Sequence, residues 1–200
     1  EPEQSATIDL VTGMAETRER ALSLVERYQD RHLADRVFDL NWTHSQVELR
    51  QLNATEADAQ LYARLAGSVI HANALLRADA SVLIRNRRGQ SGLWGYAISG
   101  DLPIVLLQIG DAANIDLVRQ LVQAHAYWRL RGLAVDLVIW NEDHAGYRQQ
   151  LQDQIMGLIA SGIEASVIDR PGGIFVRQAE QISSEDRILL QSVARAVIND

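Results

Sequence analysis

The chain has 200 residues, 47% of them apolar, a net charge of −7 and no cysteine. That length carries one sizeable domain, or one domain with a helical extension, and the apolar share is enough for a real core. The acidic balance offers no basic excess for phosphate backbones, so a nucleic-acid partner is not expected. Without cysteine there are no disulfides, thiolate nucleophiles or cysteine zinc sites.

The longest apolar run, LPIVLLQI, is far shorter than the roughly 20 residues a membrane-spanning helix needs, so no direct membrane contact is expected. The opening EPEQSATIDL lacks the basic and apolar regions of a signal peptide. It also lacks an initiator methionine, which suggests a piece of a longer chain.

In chain order, ATIDLVTG (6–13) alternates apolar Ile8 and Leu10 with polar Asp9 and Thr12, and reads as a strand without a local hairpin partner. We take residues 1–13 as the end strand of an upstream module. Residues 14–88 read as a helical arm or linker. Its first helix runs from Glu16 to about Asp30 with Thr17 as cap, and its second covers 34–53 with a broad stripe of Val37, Leu40, Trp42, Val47 and Leu49. A third opens at Thr55, with Asp58 in the capping-box position, and a short piece follows over Ser81–Asn86.

From residue 89 the pattern becomes that of an α/β domain (89–200). LPIVLLQI (102–109) and AVDLVIW (134–140) are continuous runs rich in branched residues, as in strands buried on both faces of a parallel sheet. Between them Asn114–Arg131 is helical and stops at Gly132. A helix over Tyr147–Ala160, the turn DRPGG (169–173), a strand over 174–179 and a last helix from Ser183 to about Ile198 complete it. The fold class is α/β: a small three-layer unit with a mostly parallel sheet, preceded by an N-terminal helical arm.

Glycines 89, 92, 95 and 100 precede the first strand of this domain, whereas a phosphate cradle needs its glycines after a strand and before a helix. They read as an irregular connection that allows tight packing, and no cofactor is expected. The polar groups best placed for a ligand follow the first two strands, at the carboxyl edge where open α/β sheets bind: Asp111, and Asn141, Glu142, Asp143 and His144. Adjacent acidic residues converge poorly on an ion, so no metal is expected. Ser99, Asp101 and His125 suggest a triad, but Ser99 lacks the strand-to-helix elbow. No catalytic residue is assigned.

Four ordered blocks carry a resemblance. They are Trp42-Thr43-His44-Ser45-Gln46-Val47-Glu48-Leu49-Arg50, the stretch from Gln90 through Trp94 and Tyr96 to Asp101-Leu102-Pro103, Gly132-Leu133-Ala134-Val135-Asp136-Leu137-Val138-Ile139, and Asp169-Arg170-Pro171-Gly172-Gly173. Together they resemble the cyclic β-1,2-glucan synthases. The resemblance implies a very large membrane-anchored bacterial parent that transfers glucose from UDP-glucose and adjusts glucan chain length through a region similar to glycoside phosphorylases.

It further implies that this segment lies on the cytoplasmic side of the inner membrane, between β-sandwich modules of the same chain. The phosphorylase catalytic aspartate would sit in a helical barrel absent from these residues, so the segment is expected to be a non-catalytic accessory module. The alternative is a carbohydrate- or nucleotide-binding domain that uses the carboxyl edge. Expected partners are the neighbouring modules and, on the second reading, β-glucan. Self-association of the excised segment through residues 6–50 is a further expectation.

Overall fold

A computed structural model describes residues 5, 8–143 and 148–200. The chain divides into two compact units at Gln51 and Leu52.

The first unit is helical. Thr17 caps α1 (Arg18–Tyr28) by accepting the Arg20 amide, as the sequence predicts, and α2 (Arg31–Gln51) packs beside it. The strand expected at the start of the chain is not formed over residues 8–13. Ile8 and Leu10 are exposed and no strand among the described residues pairs with them, and pairing is what makes an alternating segment a strand.

The second unit opens with α3 (Glu56–Ile70), closed at its N-terminus by the reciprocal Thr55–Asp58 box. A short α4 (Ala80–Arg85) and a 3₁₀ turn (Gln90–Tyr96) lead into the alternating part: β1 (Ile104–Ile109), α5 (Ile115–Leu130), β2 (Asp136–Asn141), α6 (Arg148–Ala160), β3 (Ile174–Gln178), α7 (Ser184–Val193) and β4 (Ala196–Asn199). The four strands are all parallel in the order β3-β2-β1-β4.

β4 corrects the sequence reading, which continued the last helix to Ile198. The helix ends at Ala194, whose backbone turns extended, and the Arg195 amide donates to the Ile104 carbonyl. The spacing of Leu189, Leu190, Val193 and Val197 suits a helix, but the β1 edge holds a row of buried backbone groups that only another strand can satisfy.

The sheet separates two faces. Ile104 and Leu106 of β1, Val138 and Trp140 of β2, and Phe175 of β3 form one core with Leu189 and Leu190 of α7, joined by Leu93 and Ile98. The alternate residues, including Val105, Leu107, Leu137 and Ile139, are equally buried and face the opposite layer. There α5 and α6 pack together, with α3 outside α5, where the Trp128 indole donates to the Tyr62 carbonyl at 2.8 Å. α4 and the 3₁₀ turn pack on α7. The helices over 56–70 and 80–85 therefore share the unit of the sheet, so the compact unit begins at 52, whereas the change of pattern in the sequence falls near 89.

The glycine stretch is more ordered than an irregular connection, because Gln90–Tyr96 forms the 3₁₀ turn. Its glycines do serve close packing at two points: a Cβ on Gly92 would lie 2.6 Å from the Leu189 side chain, and Gly100 has φ +77°.

Candidate functional site

The chain leaves β1 toward β2 on one side and returns to the other side of β1 as β4. The carboxyl ends of β1 and β4 therefore flank a topological switch point, the usual ligand crevice of an open α/β sheet. The sequence places Asp111 at this edge and Asn141–His144 one strand away.

Asp111, Asn141 and Glu142 each have a hydrogen-bond partner within the protein. Asp111 is exposed, and its Oδ1 accepts the Ala113 amide at 2.8 Å, capping the turn into α5. Buried Asn141 accepts the Asp143 amide at 3.0 Å and donates to Gln152 Oε1 at 3.3 Å. Glu142 accepts the Gln108 amide at 3.0 Å, and Gln108 Oε1 in turn accepts Gln191 Nε2 at 3.3 Å. His144 lies outside the described residues. Gly110 brings the two loops together, since a Cβ there would sit 3.8 Å from the Glu142 Cβ.

The switch point itself is occupied by a residue the sequence reading missed. Asp200 Oδ2 accepts the Gly110 amide at 3.0 Å and the Asp111 amide at 2.9 Å, with Asn114 Nδ2 at 3.4 Å. Burial opposes its ionisation, but the donated N–H groups of Asp111 and Gly110 outweigh that and hold its carboxyl below the usual range. These are the groups an incoming anion would use. Only recognising β4 as a strand brings Asp200 here, so with a helix drawn to Ile198 nothing in the sequence pointed to it.

A second polar cluster is buried beneath α5. His125 Nδ1 lies 2.5 Å from Glu164 Oε2, and its Nε2 lies 2.9 Å from the Val135 carbonyl oxygen. Glu164 Oε1 accepts Arg129 Nε at 3.0 Å and Nη2 at 2.7 Å. Burial raises the Glu164 carboxyl, yet His125 and Arg129 bring it net below its ordinary range. Nearby, Asp136 at the start of β2 is fully buried. Its Oδ1 accepts the Gly172 amide at 2.7 Å while Oδ2 has no partner, and burial pushes this carboxyl up.

The triad suggested by Ser99, Asp101 and His125 does not form. Both ring nitrogens of His125 face the partners just named, Asp101 accepts Gln90, and the Ser99 hydroxyl accepts the Asp101 amide.

Among the described residues no group of three histidine, aspartate or glutamate side chains could hold a metal ion, and no helix is long and apolar enough to cross a membrane. Of three cavities, one of about 540 Å³ lies beside α1 in the first unit, one of about 460 Å³ lies between α3 and α5, and one of about 390 Å³ lies at Tyr96 and Arg177, beside the carboxyl end of β3 and the loop through Gln181. Among the described residues, the carboxyl ends of β1 and β2 carry no metal cluster, and Asp200 fills the cradle made by the Gly110 and Asp111 amides.

No family model matches the chain. It is 31% identical over 189 residues to the cyclic beta-(1,2)-glucan synthase NdvB of Rhizobium meliloti (strain 1021), a match that covers 94% of this chain and 7% of that protein. Across nearly all of its length, then, the chain is similar to a short segment of a cyclic beta-(1,2)-glucan synthase.

Proposed function

We propose that this chain is a non-catalytic structural module of a cyclic β-1,2-glucan synthase. Its membrane-anchored parent would transfer glucose from UDP-glucose and adjust glucan chain length, with this segment on the cytoplasmic side. The single observation that carries the reading is the 31% identity running through 94% of the chain while occupying only 7% of the relative.

The geometry supports the non-catalytic part. Glycosidic chemistry needs two carboxyl groups facing each other across a cleft with opposed protonation roles. Here Asp111 and Asp200 share one turn and act through backbone amides, while Glu142 is bound to Gln108. The proposed partners are the neighbouring modules of the same parent chain.

Two measurements on the purified 200-residue chain test this. Calorimetric titration with β-1,2-gluco-oligosaccharides, inorganic phosphate and UDP-glucose is expected to give no saturable heat. Incubation with β-1,2-glucan and phosphate is expected to release no glucose 1-phosphate. Saturable sugar binding abolished by Glu142→Gln would replace the structural reading with the ligand-binding one. Phosphorolysis that disappears in one of the carboxylate variants would replace it with an enzymatic one.

A further inference from the structure

The His125 ring faces an oxygen at each nitrogen: the Val135 carbonyl 2.9 Å from Nε2, and Glu164 Oε2 2.5 Å from Nδ1. A neutral imidazole has one N–H and one lone pair, so one of these contacts would set a lone pair against an acceptor. The carbonyl can only accept, which fixes a proton on Nε2.

The remaining question is which atom holds the proton between Nδ1 and Oε2. Glu164 Oε1 takes two donors from the Arg129 guanidinium, a fork that matches a carboxylate rather than a carboxylic acid. His125 and Glu164 are each 1% exposed, so neither group reaches bulk solvent.

We propose that His125 carries protons on both ring nitrogens and, as a buried cation, staples α5 to the start of β2 and to the 3₁₀ turn at Ile163–Val167. It is a positioning residue: Arg129⁺, His125⁺ and Glu164⁻ form one ion cluster that joins α5 to the Ile163–Val167 turn, with the excess positive charge at the partly exposed Arg129 guanidinium. Breaking such a group from one side leaves an uncompensated buried charge, which is why its members depend on one another.

The test is heteronuclear NMR of the ¹⁵N-labelled 200-residue chain at pH 7.5, with His125 assigned through its backbone. Both ring nitrogens are expected to show protonated chemical shifts, with ring protons that exchange slowly because the site is buried. In Glu164→Gln the amide can donate to Nδ1, so a neutral ring is fully satisfied. There the two proton-bearing nitrogens should become one, with Nδ1 moving to the lone-pair range while the sheet amides keep their shifts. An unprotonated Nδ1 in the unmodified chain overturns the proposal, as does a Glu164→Gln ring that keeps both protons. If that variant does not fold, the spectrum of the unmodified chain decides alone.

Discussion

Replacing Gly173 with alanine is expected to disable the sheet unit. A Cβ at this position would lie 1.8 Å from the Val167 carbonyl oxygen and 2.8 Å from that of Arg170, both backbone atoms that no rotamer change can move aside. The turn must open by more than an ångström to admit the methyl. Three hydrogen bonds are made by Gly172 and Gly173 themselves: Gly173 N–H to Arg170 O at 2.9 Å, Leu137 N–H to Gly173 O at 2.9 Å, and Gly172 N–H to Asp136 Oδ1 at 2.7 Å.

Two of these join neutral groups, at about 0.5–1.5 kcal/mol each, and the third reaches a carboxyl group, at about 1.5–3 kcal/mol. Losing all three costs about 2.5–6 kcal/mol, a large part of the roughly 5–15 kcal/mol that holds a domain folded. The last bond matters most. Asp136 Oδ2 already lacks a partner, so losing Gly172 leaves a fully buried carboxyl with none.

Urea unfolding followed by the fluorescence of buried Trp128 and Trp140 reads the effect, with the midpoint falling by roughly half or the variant already unfolded. Gly95→Ala is the control, since nothing lies within 4 Å of its added methyl, and it should stay within about 0.5 kcal/mol of the parent. A Gly173→Ala chain with an unchanged midpoint would refute the packing argument.

Two further outcomes follow from the same contacts. Asp200→Ala should destabilise the sheet unit by about 1–2 kcal/mol at pH 7, because two backbone amides lose a charged acceptor at an exposed edge. The Asp200 carboxyl is depressed in the folded state, so its contribution is present above the ordinary carboxylate range near pH 4 and is lost as pH falls through the lower folded value. The thermal-midpoint difference between the two chains should therefore shrink as pH falls below about 4, and a difference that grows in acid contradicts the clamp.

The 200-residue chain is also expected to self-associate at micromolar concentration. Phe38 and Trp42, 73% and 67% exposed and one turn apart on α2, place two large apolar side chains in water. Sedimentation velocity should show a shift toward monomer in the Phe38→Ser, Trp42→Ser double variant, and a parent chain that is already monomeric refutes it.

Local signals were readable wherever a residue's role is set by its near neighbours. Thr17 and the Thr55–Asp58 pair cap their helices, Gly132 takes φ +79° at the end of α5, and two unbroken branched runs became buried parallel strands. Four-residue β4 was not readable, because AVIN fits a helix as well as a strand and only the open edge of β1 selects between them.

That choice also decided the candidate site. Asp111 and Glu142 could be placed at the carboxyl edge from the strands they follow. Asp200 reaches the same edge only once the chain returns beside β1, 89 residues along the sequence from Asp111. The sequence by itself determined the alternating α/β order, the caps and the polar ends of β1 and β2, since these depend on periodicity and backbone preference within a few residues. Tertiary structure alone decided that Asp200 fills the switch point, that His125 meets Glu164 and that Asp136 seats the Asp169–Gly173 turn. Each of these pairs spans 36 to 89 residues, and the partner is chosen by which groups the sheet order leaves buried and unsatisfied.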